Sequence, residues 1–94
     1  PRDELFGMTS QIRRASVSIA ANIAEGYGRD STGNFVNFLK IAQGSVKELE
    51  THLLLCERIG LADGVLTSPL LQQCDELGRM LRAFIRSIQR SAEE

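Results

Sequence analysis

The chain has 94 residues with a formal net charge of −1, 43% hydrophobic and 24% charged. At this length we expect one domain spanning 1–94, able to bury about 60–65% of its unfolded surface in a thin core. No apolar run approaches the roughly 20 residues of a membrane span, and PRDELFG at the start carries no charged-then-apolar leader, so we expect a cytoplasmic protein. A near-neutral total excludes strong bulk attraction to nucleic acid, so any such role must rest on local charge asymmetry.

The first predicted helix covers 8–27. At 100° per residue Met8, Ile12, Ala15, Ser16, Ile19, Ile23 and Tyr27 fall on one stripe, with Thr9 or Ser10 as expected cap. Gly26 and Gly28, followed by Asp30, Ser31, Thr32 and Gly33, read as a helix stop and a turn rich in capping side chains. The second helix covers 32–59, with Phe35, Phe38, Leu39, Ala42, Val46, Leu49, Leu53 and Cys56 on its stripe and Gly60 just beyond. Gly44 lies opposite that stripe, where a glycine costs about 1 kcal/mol relative to alanine, and we infer a packed neighbour there. The third helix covers 69–91, since Ser68 followed by Pro69 reads as a cap and a first helical residue. Its apolar face is Leu70, Cys74, Leu77, Leu81, Phe84, Ile85 and Ile88. No strand-like alternation persists, so the fold class is all-α.

Cys56 and Cys74 match neither a disulfide framework nor a CxxC pattern. An antiparallel turn centred near residue 65 puts them at one level, which makes a bridge conceivable, but two reduced core thiols are the better reading. The single histidine, His52, has Glu48 one turn before it. Metal sites in bundles need paired Glu-x-x-His motifs, and a nucleophile needs an adjacent base; with neither present we expect no metal, no cofactor, no small-molecule substrate and no catalysis.

Val17, Ala20, Ala21 and Ala24 on helix one, and Ile41, Leu55 and Ile59 on helix two, lie away from the main stripes. This is more apolar surface than three helices hide among themselves, and large uncovered patches mark interaction surfaces, although scattered surface aliphatics are also common. Arg14, Ser18 and Glu25 project from one side of helix one and suit ion pairs between subunits, each worth only about 0–1 kcal/mol if exposed. We therefore expect an oligomer interface at Arg14, Val17, Ser18, Ala21, Glu25, Ile41, Leu55 and Ile59. Asn22, at the stripe's edge, suits a hydrogen bond across the bundle that fixes register.

On helix three Arg79, Arg82, Arg86 and Arg90 form a stripe opposite the apolar face, along about 16 Å of helix. Guanidinium forks fit phosphate oxygens, and with Lys40 and Lys47 on helix two the stripe is a candidate RNA- or DNA-backbone site; four duplex contacts would give a log–log salt slope of roughly −3.6. The competing reading is a solvated face whose cations suit the negative end of a helix dipole. With one tyrosine and four phenylalanines, base-stacking platforms are not evident.

Three blocks, SQIRRASVSIAANIAEGYGR from Ser10, NFLKIAQGSVKELETHLLL from Asn37 and LGRMLRAFIRSI from Leu77, resemble the signature of a bacterial family, the four-helix-bundle proteins encoded in 23S rRNA intervening sequences. The resemblance implies an antiparallel up-and-down four-helix bundle of which this chain supplies three helices, lacking the family's N-terminal helix. It further implies a homo-oligomer, a pentamer by likeness to accessory proteins of diversity-generating retroelements, and no enzymatic activity.

Overall fold

The computed structural model describes the backbone of residues 2–93 and the side chains of residues 5–93. Among them are three α-helices and no strand: α1 (Arg2–Tyr27), α2 (Thr32–Arg58) and α3 (Gly64–Glu93).

The helix ends follow from local chemistry. Ser31 has extended backbone, and its side chain accepts from Asn34 N at 3.0 Å, which caps α2 as expected. At the other end Gly60 has φ +81°; Leu61 N–H donates to Cys56 O at 2.8 Å and Gly60 N–H to Glu57 O at 3.2 Å. These paired bonds satisfy orphan carbonyls through a left-handed residue that glycine adopts without a Cβ clash.

Two starts differ from expectation. Thr9 and Ser10 do not cap α1, which already runs from Arg2; the Thr9 hydroxyl donates back to Leu5 O at 2.8 Å, as such side chains do within a helix. α3 begins at Gly64 rather than at 69, because Asp63 caps it: its carboxylate accepts from Val65 N at 2.7 Å and its carbonyl from Thr67 N at 3.1 Å. Pro69 thus lies inside the helix. The carbonyl it deprives is that of Val65, a residue 85% exposed, where water can replace the lost donor.

Heights along the helices are set by side-chain contacts. Ser18 meets Ser45 at 2.8 Å, and Gly26 abuts Phe38, so α1 and α2 are antiparallel. The Thr67 hydroxyl donates to Glu57 Oε2 at 2.8 Å, and a Cβ on Gly78 would lie 3.9 Å from Val46 Cγ1, so α3 is antiparallel to α2 and parallel to α1. The α2–α3 turn is therefore centred well before residue 65. Cys56 and Cys74 lie about one and a half helical turns apart in height, and both are free thiols.

All eight expected stripe residues of α2 are buried or half-buried, with Leu39, Ala42 and Val46 inaccessible to solvent. The core joins them to Ile19 of α1 and to Cys74, Leu81 and Ile85 of α3. Ser16, Tyr27, Leu70 and Phe84, expected inside, are exposed. The reason is architectural. α1 and α3 both pack on α2, but no pair of their Cα atoms comes within 8 Å, and the molecule measures 53 × 21 × 12 Å. It is a layer one helix thick, with α2 in the middle and α1 and α3 at opposite edges.

Candidate functional site

Gly26 was read as part of a helix stop; instead it is a buried contact residue inside α1. A Cβ there would stand 2.7 Å from Phe38 Cβ, 3.0 Å from the Phe35 ring and 3.3 Å from Phe35 O. The glycine of the NIAEG block therefore lets the C-terminal turn of α1 lie against the N-terminal turns of α2. Arg29, just past α1, pairs with Glu25 and stacks over Phe38 with its Cζ 5.0 Å from the ring centroid.

A second small-residue contact holds the middle of these helices. The Ser18 and Ser45 hydroxyls are hydrogen-bonded to each other, while Asn22 Nδ2 donates to Ser18 O at 2.8 Å and Ser18 Oγ at 3.1 Å. Asn22 was expected to bridge the bundle; it bonds back onto its own helix, and Ser18 makes the crossing. Ser45, buried on α2, escaped the sequence reading because a serine beside an apolar stripe looks like its solvent edge.

One face of the layer is an open apolar groove. One pocket along it has a volume of about 220 Å³ and is lined by Ile12 and Ser16 from α1, Leu49 and Leu53 from α2, and Leu70, Gln73, Cys74 and Leu77 from α3. Towards the other end three rings bridge the helices edge to face: Tyr27 to Phe35 at 6.2 Å and Phe35 to Phe84 at 5.6 Å. Tyr27 is nonetheless 81% exposed.

The arginines of α3 are exposed but not equivalent. Arg79 is paired with Asp75 at 2.8 Å, whereas no ion pair to Arg82 or Arg86 occurs among the described residues. Arg90 occupies the last turn. Lys40 shares a shallow cleft with Asn37 of α2 and Gln89, Ala92 and Glu93 of α3, so it stands beside the C-terminal turns of the helix that carries the arginines. Lys47 is exposed and lies 3.5 Å from Glu50.

Of the expected interface residues, Arg14, Ala21 and Glu25 are exposed, as are Val17 (61%), Ile41, Leu55 and Ile59. Ser18 is half-buried and engaged with Ser45. Leu54, Val65 and Leu66 add exposed aliphatics near the α2–α3 turn. Nothing among the described residues lies within 4 Å of a Cβ built on Gly44, so the packed neighbour inferred there is not one of them.

His52 is half-buried, with Nε2 3.4 Å from Glu48 Oε1 and Nδ1 buried without a partner. No cluster of three or more His, Cys, Asp or Glu occurs among the described residues. Burial pushes both thiols above their ordinary pKa, and at Cys74 the negative charge of Glu50 adds to that. Thiols held protonated in this way are poor nucleophiles. No helix among the described residues is long and apolar enough to cross a membrane.

These features, a glycine-mediated helix crossing inside NIAEG and three helices extending over all three signature blocks, coincide with a family match. The sequence profile of the 23S rRNA-intervening sequence proteins covers residues 1–83. The chain belongs to that family. The match takes in α1, α2 and two thirds of α3, and stops before Arg86 and Arg90, so those two arginines lie outside the matched region. Among curated proteins no relative is found.

Proposed function

We propose that this member of the 23S rRNA-intervening sequence protein family is a non-catalytic helical scaffold whose basic side contacts the backbone of RNA or DNA. The observation that carries the reading is the run of Arg82, Arg86 and Arg90 on α3 beside Lys40 of α2, with no acidic residue between Leu77 and Ala92. Arginines four residues apart stand about 6 Å apart along the helix, a spacing that successive phosphates of one strand can meet. Such contacts read charge and shape rather than base identity.

The open groove supports the rest of the proposal. A fourth helix laid between α1 and α3 would cover Leu70, Leu77 and the Tyr27–Phe35–Phe84 rings and complete the antiparallel four-helix bundle that the family resemblance implies. The exposed Val17, Ile41, Leu55 and Ile59 remain outside that seat, and they support homo-oligomerisation, with a pentamer the stoichiometry implied by resemblance. A purely protein-binding scaffold is the second reading, favoured by the pairing of Arg79 with Asp75, which removes one arginine from the stripe.

The test is a salt titration of binding to duplex RNA and duplex DNA, comparing the natural chain with a variant carrying Lys40, Lys47, Arg82 and Arg90 as serine. With about three phosphate contacts, log affinity should fall with log salt at a slope of roughly −3, and the variant should bind at least about tenfold more weakly with a flatter slope. Equal affinity and equal slope in the two proteins would remove the nucleic-acid role and leave the protein scaffold.

A further inference from the structure

We propose that copies of this chain associate side by side in the same orientation, the outer face of α1 in one copy lying against the outer face of α3 in the next. The proposal rests on the assembly reading above and names the surfaces that assembly uses; it does not depend on nucleic acid, and by giving Arg86 to the neighbour it leaves Arg82, Arg90 and Lys40 for a phosphate backbone.

The layer architecture supplies the first observation. α1 and α3 form opposite edges of a sheet of helices, and because each is antiparallel to α2 they run parallel to one another. Two copies set edge to edge in one orientation therefore bring parallel helices together.

Charge polarity supplies the second. The outer side of α1 is positive towards its N-terminal half, at Arg13 and Arg14, and negative near its C-terminus, at Glu25, with no charged residue between them. α3 is arranged in the reverse sense: Asp75 and Glu76 come first and arginines follow. The heights agree as well. The Ser18–Ser45, Gly26–Phe38, Glu57–Thr67 and Val46–Gly78 contacts place Arg14 at about the level of Asp75, and Glu25 at about the level of Arg86. By the 100° periodicity Arg14 and Glu25 lie on the flank of α1 turned away from the groove, and Asp75 and Arg86 lie on the corresponding flank of α3. Translation of one layer beside another thus matches opposite charges at both ends, whereas an α1 face set against an inverted α3 face brings arginine against arginine.

Between the charged ends the surfaces suit close packing. α1 offers exposed Val17 and Ala21 beside a shallow hollow lined by Arg13, Arg14, Val17 and Ser18. The intrachain pairs Glu25–Arg29 and Asp75–Arg79 are exposed i,i+4 pairs; they hold each carboxylate in place, and its remaining lone pairs stay free for a neighbour's guanidinium. Because the two faces differ, the contact is head-to-tail and closes into a ring or continues as a filament.

Two variants test this, each damaging one face: Arg13→Glu with Arg14→Glu, and Asp75→Lys with Glu76→Lys, with helicity checked by circular dichroism. Light scattering should find the natural chain oligomeric and each variant monomeric. A mixture of the two variants should reassemble with the two chains alternating, since the intact α1 face of one variant meets the intact α3 face of the other and the two charge-reversed faces also match. All four substitutions in one chain should restore the natural mass. A natural chain that is monomeric at high micromolar concentration removes both the assembly reading and this pairing. An oligomer whose mass survives in both variants, or variants that become monomeric yet do not reassemble when mixed, overturns the pairing and leaves assembly standing.

Discussion

The two contacts made by α2 are built on different physical principles. Against α1 the contact is built on small and partly polar side chains beside Ile19: Gly26 under Phe38, Ala15, and the Ser18–Ser45 pair, so the helices approach closely. Against α3 the contact is made of bulky aliphatics, Val46, Leu81 and Ile85, closed at the turn by Thr67 on Glu57. The first depends on steric fit at single positions, and the second on the amount of apolar surface removed from water.

The largest effect should come from the aliphatic side. Leu81→Ala deletes a core side chain that is 5% exposed and should lower unfolding free energy by about 2–5 kcal/mol, read from urea denaturation; a loss under about 1 kcal/mol would mean that α3 contributes little to the core. Next comes Gly26→Ala. Its new methyl meets Phe38 Cβ, which is tied to the backbone and cannot swing aside, so a loss of about 1–3 kcal/mol is expected. An unchanged or raised midpoint would show that the α1–α2 crossing has slack.

A smaller change sharpens the same comparison. Ser18→Ala leaves the Ser45 hydroxyl buried without its partner and should cost about 1 kcal/mol, while the double change with Ser45→Ala should recover part of that loss. A double-mutant cycle with no coupling would sink the claim that this pair holds the middle of the two helices. At the outward face of α2, Gly44→Ala should stabilise by about 0.5–1 kcal/mol, because the site is helical and open. Destabilisation there would point to a neighbour on that face in the natural assembly.

The smallest effect concerns the thiols. Burial raises Cys56 and Cys74 above the usual pKa of 9.0, with Glu50 adding at Cys74. The folded chain therefore holds those protons after the unfolded chain has released them, and stability should decline modestly as pH rises above about 9. Titration with a thiol reagent near pH 9 should be slower for the folded chain than for the urea-unfolded chain; equal rates would contradict the burial.

Most of the helical content was legible because each stripe repeats at helical period, and on α2 every expected stripe residue is covered. The start of α3 was not legible. Ser68–Pro69 is a strong local start signal, but Asp63 supplies a cap earlier, and the lost Pro69 hydrogen bond costs little at an exposed carbonyl. The candidate arginines were visible as a run, yet which of them are free was not, since the Asp75 pairing of Arg79 depends on rotamers. Gly26 was visible only as a glycine near a helix end, where a stop is the commoner meaning.

By itself the amino-acid sequence determined three amphipathic helices, the polarity of charge along α1 and α3, and family membership, since all of these are linear patterns. Tertiary structure alone decided that α1 and α3 stand apart as edges of a layer, that a glycine rather than an asparagine permits the tight crossing, and that the two cysteines lie at different heights. Those outcomes depend on the register of one helix against another, which is set by single contacts between residues distant in the chain, and no periodicity encodes them.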